Sequence, residues 1–395
     1  MRTPPDTASD LTEAQRTARA GFAAFADEHL VPYADRWDRE ERLPREVTEH
    51  LAAEGHLGAA VPIRYGGAGL DAVTFGLLHA EVGRACSSVR SLLTVHSMVA
   101  HALDRWGRPE QRRHWLPRLA DGTALGAFAV TEPDAGSDLQ AVATTARRDG
   151  DDYVLSGRKH WITFGQYADL FLVLARLDDR PAAFLVERDR GGLDVRPMTG
   201  ALGTRASMLA RVQMDGCRIP AANLVGRPGF GLSAVIATAL ELGRYSVAWG
   251  CVGLAEACLR AALGHAAARR QFGSALRGHQ LVQRMLADMG TGVTAARLLC
   301  LRAGRLREAG DPASVHATWM AKYFASTAAA RAAGDAVQIH GARGIGPDEP
   351  VQRYLRDAKV MEIIEGSTQL QQIMLAESAY QMFPVDSYDT ERTSG

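Results

Sequence analysis

The chain has 395 residues, 47% hydrophobic and 23% charged, with 45 Lys and Arg against 45 Asp and Glu. That length holds a sizeable core in two or three domains. Zero net charge excludes nucleic-acid or membrane-surface binding that works by bulk charge, and the five scattered cysteines argue against a disulfide framework or zinc site.

Met1 to Asp10 is polar, holds Pro4 and Pro5 and has no apolar core, so no signal peptide is expected. No 18-residue run free of charge appears, and the reading is a cytoplasmic protein without a membrane segment. Asp10 with Glu13 suggests a capping box, and a helical pattern follows through Phe22, Phe25 and Leu30. Helical texture continues to about Asp121, broken at Pro62 and at Tyr65-Gly66-Gly67-Ala68-Gly69. Ser87-Ser88-Val89-Arg90-Ser91 reads as a cap and loop, or as part of a substrate wall. His79, His96 and His101 lack zincin spacing and read as ordinary helix positions.

From about Leu125 the texture changes. Asp149-Gly150 marks a tight turn, Leu170 to Leu177 and Ala182 to Val186 are apolar runs, and Asp178-Asp179-Arg180-Pro181 separates them. No helix of strand-crossover length intervenes, so a small sandwich or barrel is expected rather than a parallel βαβ sheet. Gly229-Phe230-Gly231-Leu232-Ser233-Ala234 matches a dinucleotide fingerprint, but no βαβ unit surrounds it, and it reads as a loop feeding a helix. Beyond Gly231 the text is helical, with Leu281, Met285, Met289, Val293, Ala296 and Cys300 on one face of a long helix ended at Asp311-Pro312. The expected organisation is α+β and multidomain: a helical bundle over 1–124, a β-barrel or sandwich over 125–230, a helical bundle over 231–383 and a tail over 384–395.

Two segments stand out chemically. Phe128 to Asp138 packs a hydroxyl, acids, a proline and a glycine into a loop at the helix-to-strand boundary, suited to presenting N–H groups to a polar ligand. Ile363-Ile364-Glu365-Gly366-Ser367 sets an acid beside an apolar pair; burial there raises a carboxylate pKa, which suits a general base, though a helix-end acid is the plainer alternative.

Eight blocks in order resemble the acyl-CoA dehydrogenase family: Tyr65 to Asp71, Thr131 to Asp138, Gly157 to Thr163, Leu202 to Ser207, Arg269 to Gly273, Gln338 to Gly344, Arg356 to Lys359 and Glu365 to Gln369. The resemblance implies helical, β and four-helix-bundle domains and a non-covalent FAD. Phe128, Val130, Thr131, Trp161 and Thr163 would line its ring system, Gly136 and Ser137 would be shared by flavin and substrate, and Ser367 and Gln369 would meet the cofactor. Arg269, Phe272, Gln280, Gln338 and Gly341 match residues the family supplies from a neighbouring subunit to the diphosphate and adenosine half, which implies a homodimer or homotetramer. Glu365 matches the base that takes an α-proton while a β-hydride goes to flavin N5. Arg244, Ile364, Gly366 and Ser137 would meet the substrate. An electron-transfer flavoprotein or another acceptor would remove the electrons.

The chain departs from the family pattern at Phe164, where Asn is usual, at Ile364, where straight-chain enzymes have Tyr, at Ser367 for Thr, and at Gln372 and Glu377, where Arg is frequent. Glu241 with Arg244 resembles the acid-and-arginine pair bordering the CoA channel. Ser88 to His96 resembles, less specifically, members that oxidise acyl groups on an acyl carrier protein in polyketide and nonribosomal peptide assembly. A flavin oxidase or monooxygenase, or a non-catalytic thioester binder, would keep the fold and change the class; retention of Glu365 speaks against the first.

Overall fold

A computed structural model describes residues 10–382. The first helix begins where its free amides find an acceptor. Thr12 accepts from Gln15 N while the Gln15 side chain accepts from Thr12 N, so α1 (Glu13–His29) starts on this reciprocal pair and not on Asp10 and Glu13. The extended backbone of Thr12 aims its short hydroxyl at the third helical amide, which Asp10 lies too far upstream to reach.

Five more helices complete the first helical layer: α2 (Ala34–Glu40), α3 (Arg45–Ala53), α4 (Ala72–Ala85), α5 (Ser87–Trp106) and α6 (Pro109–Ala120). Ser87 to Ser91 is not a loop. Cys86 is extended and caps α5, so these residues form its first buried turns, and Ser91 Oγ donates to the Ser87 carbonyl at 2.9 Å. Their hydroxyls suggest a loop only while the helix packed over them is unknown.

The middle strands are β1 (Gly126–Ala129), β2 (Thr145–Asp149), β3 (Asp152–Ile162), β4 (Leu170–Leu177), β5 (Arg180–Glu187), β6 (Leu193–Pro197), β7 (Ala210–Pro220) and β8 (Leu224–Val225). One group runs β6-β7-β3-β2; the other joins β1, β4, β5 and β8. Among the described residues the two groups pair strand to strand only where Thr145 and Ala146 run parallel to Arg176 and Leu177. The turns read from sequence are present: Gly150 has φ 63°, and Asp178 and Asp179 take φ 47° and 59° between the last paired residues of β4 and β5. β4 and β5 are buried on both faces, as their unbroken apolar runs require.

The C-terminal helices are α7 (Ala237–Ala268), α8 (Gln280–Glu308), α9 (Ala313–His340), α10 (Val351–Met361) and α11 (Thr368–Met382), with a hairpin, β9 (Arg270–Gln271) and β10 (Ser274–Ala275), between α7 and α8. Gly231–Ile236 is a wide helical turn that leads into α7, and the strand before it, β8, pairs antiparallel with β5, so no dinucleotide unit exists there. Gly231–Ala268 is long and apolar enough to cross a membrane, but 72% of its most apolar window is buried inside the protein. Ala-rich α9 buries Ala317, Ala321, Ala325, Ala329 and Ala333, small residues that let neighbouring helices approach closely. The stripe on α8 is buried at Met289, Val293, Ala296 and Cys300, but its first member, Leu281, is exposed.

Two sequence blocks prove to be one contact. Asp357 Oδ1 accepts from Thr204 N at 2.6 Å, and Arg356 donates to Asp38 and to the Leu202 carbonyl, tying the C-terminal helices to the β domain and to α2. Helix α4 lies so close to α7 that a Cβ at Gly253 would sit 1.9 Å from the Ala80 carbonyl oxygen. Gly253→Ala therefore forces two helix backbones apart and should destabilise by about 1–3 kcal/mol. Thermal denaturation checks this; an unchanged midpoint would refute the close packing.

Candidate active site

Helix α10 ends at Met361 with Glu362 as its cap, and α11 starts at Thr368. Between them Glu365 takes φ 55° and Gly366 φ 90°. A left-handed non-glycine costs about 1–3 kcal/mol and persists only where its surroundings overdetermine it. Here they do. The Glu365 carbonyl accepts from Arg244 Nε at 3.1 Å and from Gln371 Nε2 at 3.4 Å, and the Gly366 carbonyl accepts from Lys322 Nζ at 2.7 Å. Thr368 closes the turn through its N–H to the Glu362 carbonyl at 2.9 Å.

The loop's carbonyls are thus taken, while the Glu365 carboxylate is left open. Its Oε2 is shielded from solvent and has no hydrogen-bond partner. A Cβ at Gly243 would lie 2.6 Å from that oxygen and 2.7 Å from Met98 Sδ, so only glycine on α7 leaves the acid its place. Burial raises the Glu365 pKa above its ordinary value of 4.5, opposed by the charges of Arg244, Lys322 and Arg90. Burial also lowers Lys322 to about 8. Ile364 is half-buried beside the base and Ile363 is exposed.

A second wall comes from the β domain. Lys159 pairs with Val212 and Ile162 with Ala210, so β3 carries one extra residue against β7. That bulge puts Trp161 at φ 60° and turns its indole outward, 54% exposed. Phe164, in place of the usual Asn, is fully buried at φ 54°. Phe128 is half-buried near the end of β1; Val130 is buried, Thr131 and Thr163 are half-buried, and Gly136 and Ser137 are exposed on the following loop.

The loop is anchored from behind by Glu132. Its carboxylate accepts from Ala143 N, Thr144 N, Thr144 Oγ1 and Lys159 Nζ, the last at 2.7 Å. Lys159, fully buried, also donates to the Val130 carbonyl at 3.1 Å. Lys159, Lys322, Gly243 and Gln371 belong to the site without any role read for them from motif; the signal available is that the chain has only three lysines, two of which are these.

A third cluster lies elsewhere. Arg269, Phe272, Gln280, Gln338 and Gly341 are all exposed, with Phe272 97% exposed at φ 53°. Arg269 closes α7 at the end opposite Gly243, roughly 39 Å away along the helix at 1.5 Å per residue. His340 stacks on His265 at 4.3 Å, which joins the end of α9 to the same end of α7. Ser367 is half-buried and Gln369 exposed, both on the base side.

Arg244 also lines a cavity of about 730 Å³ with His101, Arg105, Glu241, Arg307 and Trp319. Arg307 pairs with Glu241 there. His79 and His96 are fully buried and hydrogen-bonded, His79 to Ser246 and His96 to Leu119 O and Gly126 N; among the described residues no group of three metal-ligating side chains converges.

Models of the acyl-CoA dehydrogenase N-terminal, middle and C-terminal domains match residues 12–123, 127–217 and 229–380. The chain belongs to the acyl-CoA dehydrogenase family. It is 37% identical over 374 residues to the probable acyl-CoA dehydrogenase YngJ of Bacillus subtilis, covering 93% of this chain and 98% of the relative. FkbI, a protein for biosynthesis of the methoxymalonyl extender unit of the Fk520 polyketide, superposes with a TM-score of 0.84 at 38% identity, over 92% of this chain and 99% of that one. The prolyl acyl carrier protein oxidase AnaB superposes with a TM-score of 0.89 at 29% identity, over 93% and 99%.

As a member of this family the protein is an FAD-dependent oxidoreductase that acts on acyl thioesters. The β wall fits a flavin: an outward-turned indole offers a flat apolar face, and the loop that carries Thr131 is fixed from behind by Glu132 and Lys159. Lys159→Met leaves Glu132 buried without its cation, a change worth about 3–5 kcal/mol. It should lower both the thermal midpoint and the FAD retained after gel filtration; full FAD content with an unshifted midpoint would show that the clamp does not shape the loop.

Proposed function

We propose that the protein dehydrogenates an acyl thioester with Glu365 as the base. Bound FAD supplies the hydride acceptor for the β-hydrogen. The observation that carries the reading is the buried Oε2 of Glu365, free of any hydrogen bond while three cations surround it. An unsolvated carboxylate is a stronger base than one in water, and its raised pKa lies nearer that of the α-proton. The Glu365 N–H donates to no backbone acceptor among the described residues and would be free to donate to the thioester carbonyl as enolate charge develops. Phe128, Val130, Thr131, Gly136, Ser137, Trp161, Thr163, Ser367 and Gln369 would hold the flavin, and Ser137, Arg244, Ile364 and Gly366 would position the thioester. The cavity is lined by Arg244, whose Nε donates to the Glu365 carbonyl, and it would suit the arm that carries the acyl group, with Arg105 at its wall.

The carrier is an acyl carrier protein in the second reading, supported by the likeness to FkbI and AnaB; CoA remains the first. The third cluster sits too far from Glu365 to serve the same flavin within one subunit. Arg269, Phe272, Gln280, Gln338 and Gly341 would therefore complete a neighbouring subunit's FAD site, with Arg269 meeting the diphosphate as a planar fork. Electrons would leave to an electron-transfer flavoprotein or another acceptor.

Anaerobic acyl thioester, offered on CoA and on a carrier protein, should bleach the flavin band, and Glu365→Gln should bleach at least a thousandfold more slowly with FAD content unchanged. Parent-like bleaching by that variant would remove Glu365 as base, and peroxide release matching turnover in air would favour an oxidase. Because the base works ionised, kcat/KM should rise with pH through an apparent pKa above 4.5. Stability runs the other way. A raised folded pKa means the native state holds the proton more tightly, so this group's contribution is present at low pH and lost as pH climbs through the folded value.

Arg269→Lys should weaken FAD retention after gel filtration and leave the base-dependent pH profile of the loaded enzyme in place. Unchanged FAD content would overturn the assignment of Arg269.

A further inference from the structure

Two lysines are fully buried in this protein, and they meet their neighbouring acids differently. Lys159 touches Glu132 directly, Nζ to Oε1 at 2.7 Å. Burial would raise that carboxyl, but hydrogen bonds from Lys159, Thr144 and Ala143 hold it below its ordinary value of 4.5. Glu132 is therefore a settled anion with its oxygens engaged. Lys322 makes no such contact. Its Nζ donates to the Gly366 carbonyl at 2.7 Å, and among the described residues no carboxylate lies within ion-pair distance of it.

An ammonium taken out of water with only a neutral acceptor keeps most of its desolvation penalty. A neutral amide donor would hold the same carbonyl at lower cost. The groups around Lys322 do not neutralise it. From α7 come Cys251, a thiol that burial raises to about 11 and so keeps uncharged, and Arg244, another cation. From the end of α10 comes Glu362, which already pairs with Lys359 at 2.9 Å. The remaining group is Glu365, one residue before the carbonyl that Lys322 holds.

Glu365 faces three cations: Arg244 from α7, Lys322 from α9 and Arg90 from α5. Arg90 gives its donors to Thr94, Ser91 and Met361, and Arg244 gives Nε to the Glu365 carbonyl. Lys322 grips the turn itself. Gly366 at φ 90° follows Glu365 at φ 55°, so a donor that fixes the Gly366 carbonyl fixes the left-handed pair. Cation and carboxylate are thereby kept near each other without touching, since Oε2 has no hydrogen-bond partner. Direct contact, as at Glu132, makes a carboxylate a weak base. A fixed cation out of hydrogen-bond reach leaves its lone pairs free and still favours the ionised form. Burial lowers Lys322 only to about 8, so the ammonium persists at neutral pH.

We propose that Lys322 is a positioning residue for proton abstraction: seated on the Gly366 carbonyl, its ammonium fixes the turn that carries Glu365 and supplies charge that keeps the unbonded carboxylate ionised. The proposal rests on the reading of Glu365 as the base.

The test uses the FAD-loaded protein. Infrared difference spectra follow the protonated carboxyl band that Glu365→Gln removes, which reads the titration of Glu365 without substrate. Lys322→Gln keeps a neutral donor and loses the charge. It should raise the Glu365 midpoint by about one pH unit or more, a tenfold change in proton affinity, with FAD content unchanged. In anaerobic bleaching by butyryl-CoA, the acid limb of kcat/KM should move up by the same amount and the rate should recover at high pH. Where butyryl-CoA leaves the flavin oxidised, the infrared midpoint alone decides. Lys322→Met, close in shape but without a donor, should shift the midpoint likewise and also lower the recovered rate, because the turn is no longer held. It carries the test by itself should Lys322→Gln not fold. An unmoved midpoint in these variants, or a rate lowered equally at every pH, would overturn the proposal. The outcomes separate from those for the base. Parent-like bleaching by Glu365→Gln, with a midpoint that still moves in the lysine variants, removes Glu365 as base and keeps the hold of Lys322 on its ionisation. Bleaching that needs Glu365, with an unmoved midpoint, keeps the base and removes Lys322.

Discussion

A carboxylate that stays ionisable inside the protein sets the terms for the rest of this fold. Left alone, burial would keep Glu365 protonated. The protein brings Arg244, Lys322 and Arg90 near enough to oppose that, yet gives none of their N–H groups to Oε2. Instead the donors of Arg244 and Lys322 go to the carbonyls of Glu365 and Gly366. The same contacts that supply positive charge therefore hold the left-handed turn, and the carboxylate is left to meet another partner. Gly243 on α7 and the packing of α9 follow from this requirement, because the first makes room for the acid and the second delivers the lysine.

The β domain answers a different requirement, a rigid flat surface for the proposed flavin. Regular pleating would alternate β3 side chains between the two faces. The extra residue near Trp161 breaks the alternation at one point and turns the indole outward, while Glu132 and Lys159 fix the neighbouring loop from the buried side. The joints at Asp357 with Thr204 and Arg356 with Asp38 then hold the two walls in register, so stability at these contacts serves the geometry of the site.

Much of this was legible in the residues. The hairpin turns at Gly150 and at Asp178-Asp179 carry their own backbone chemistry, and the fingerprint at Gly229 failed for want of a βαβ frame. What escaped was set by tertiary contact. The capping box read at Asp10 and Glu13 sits two residues too early, because only backbone direction selects Thr12 with Gln15. Ser87 to Ser91 has the composition of a loop and becomes helix interior because α7 covers it. The bulge at Trp161 has no compositional mark, since one added residue changes a register and not a residue type. The base itself was visible as an acid between apolar residues, but its left-handed conformation was not, because glutamate gives no hint of positive φ.

The distribution of cations sharpens the point. Of 45 Lys and Arg only Lys159, Lys322 and Lys359 are lysine, which coding bias alone could account for. Two of those three are fully buried at the site, each with its ammonium within reach of a backbone carbonyl, and the third pairs with Glu362 near the surface. An ammonium is a compact point donor that enters a space where a guanidinium's planar fork would not fit, and its pKa falls with burial as an arginine's scarcely can. Arg90 is the converse: a permanently charged fork held by two hydroxyls and a thioether, with no carboxylate at ion-pair distance among the described residues. In a chain where arginine is the default cation, buried lysine marks the places where backbone must be held.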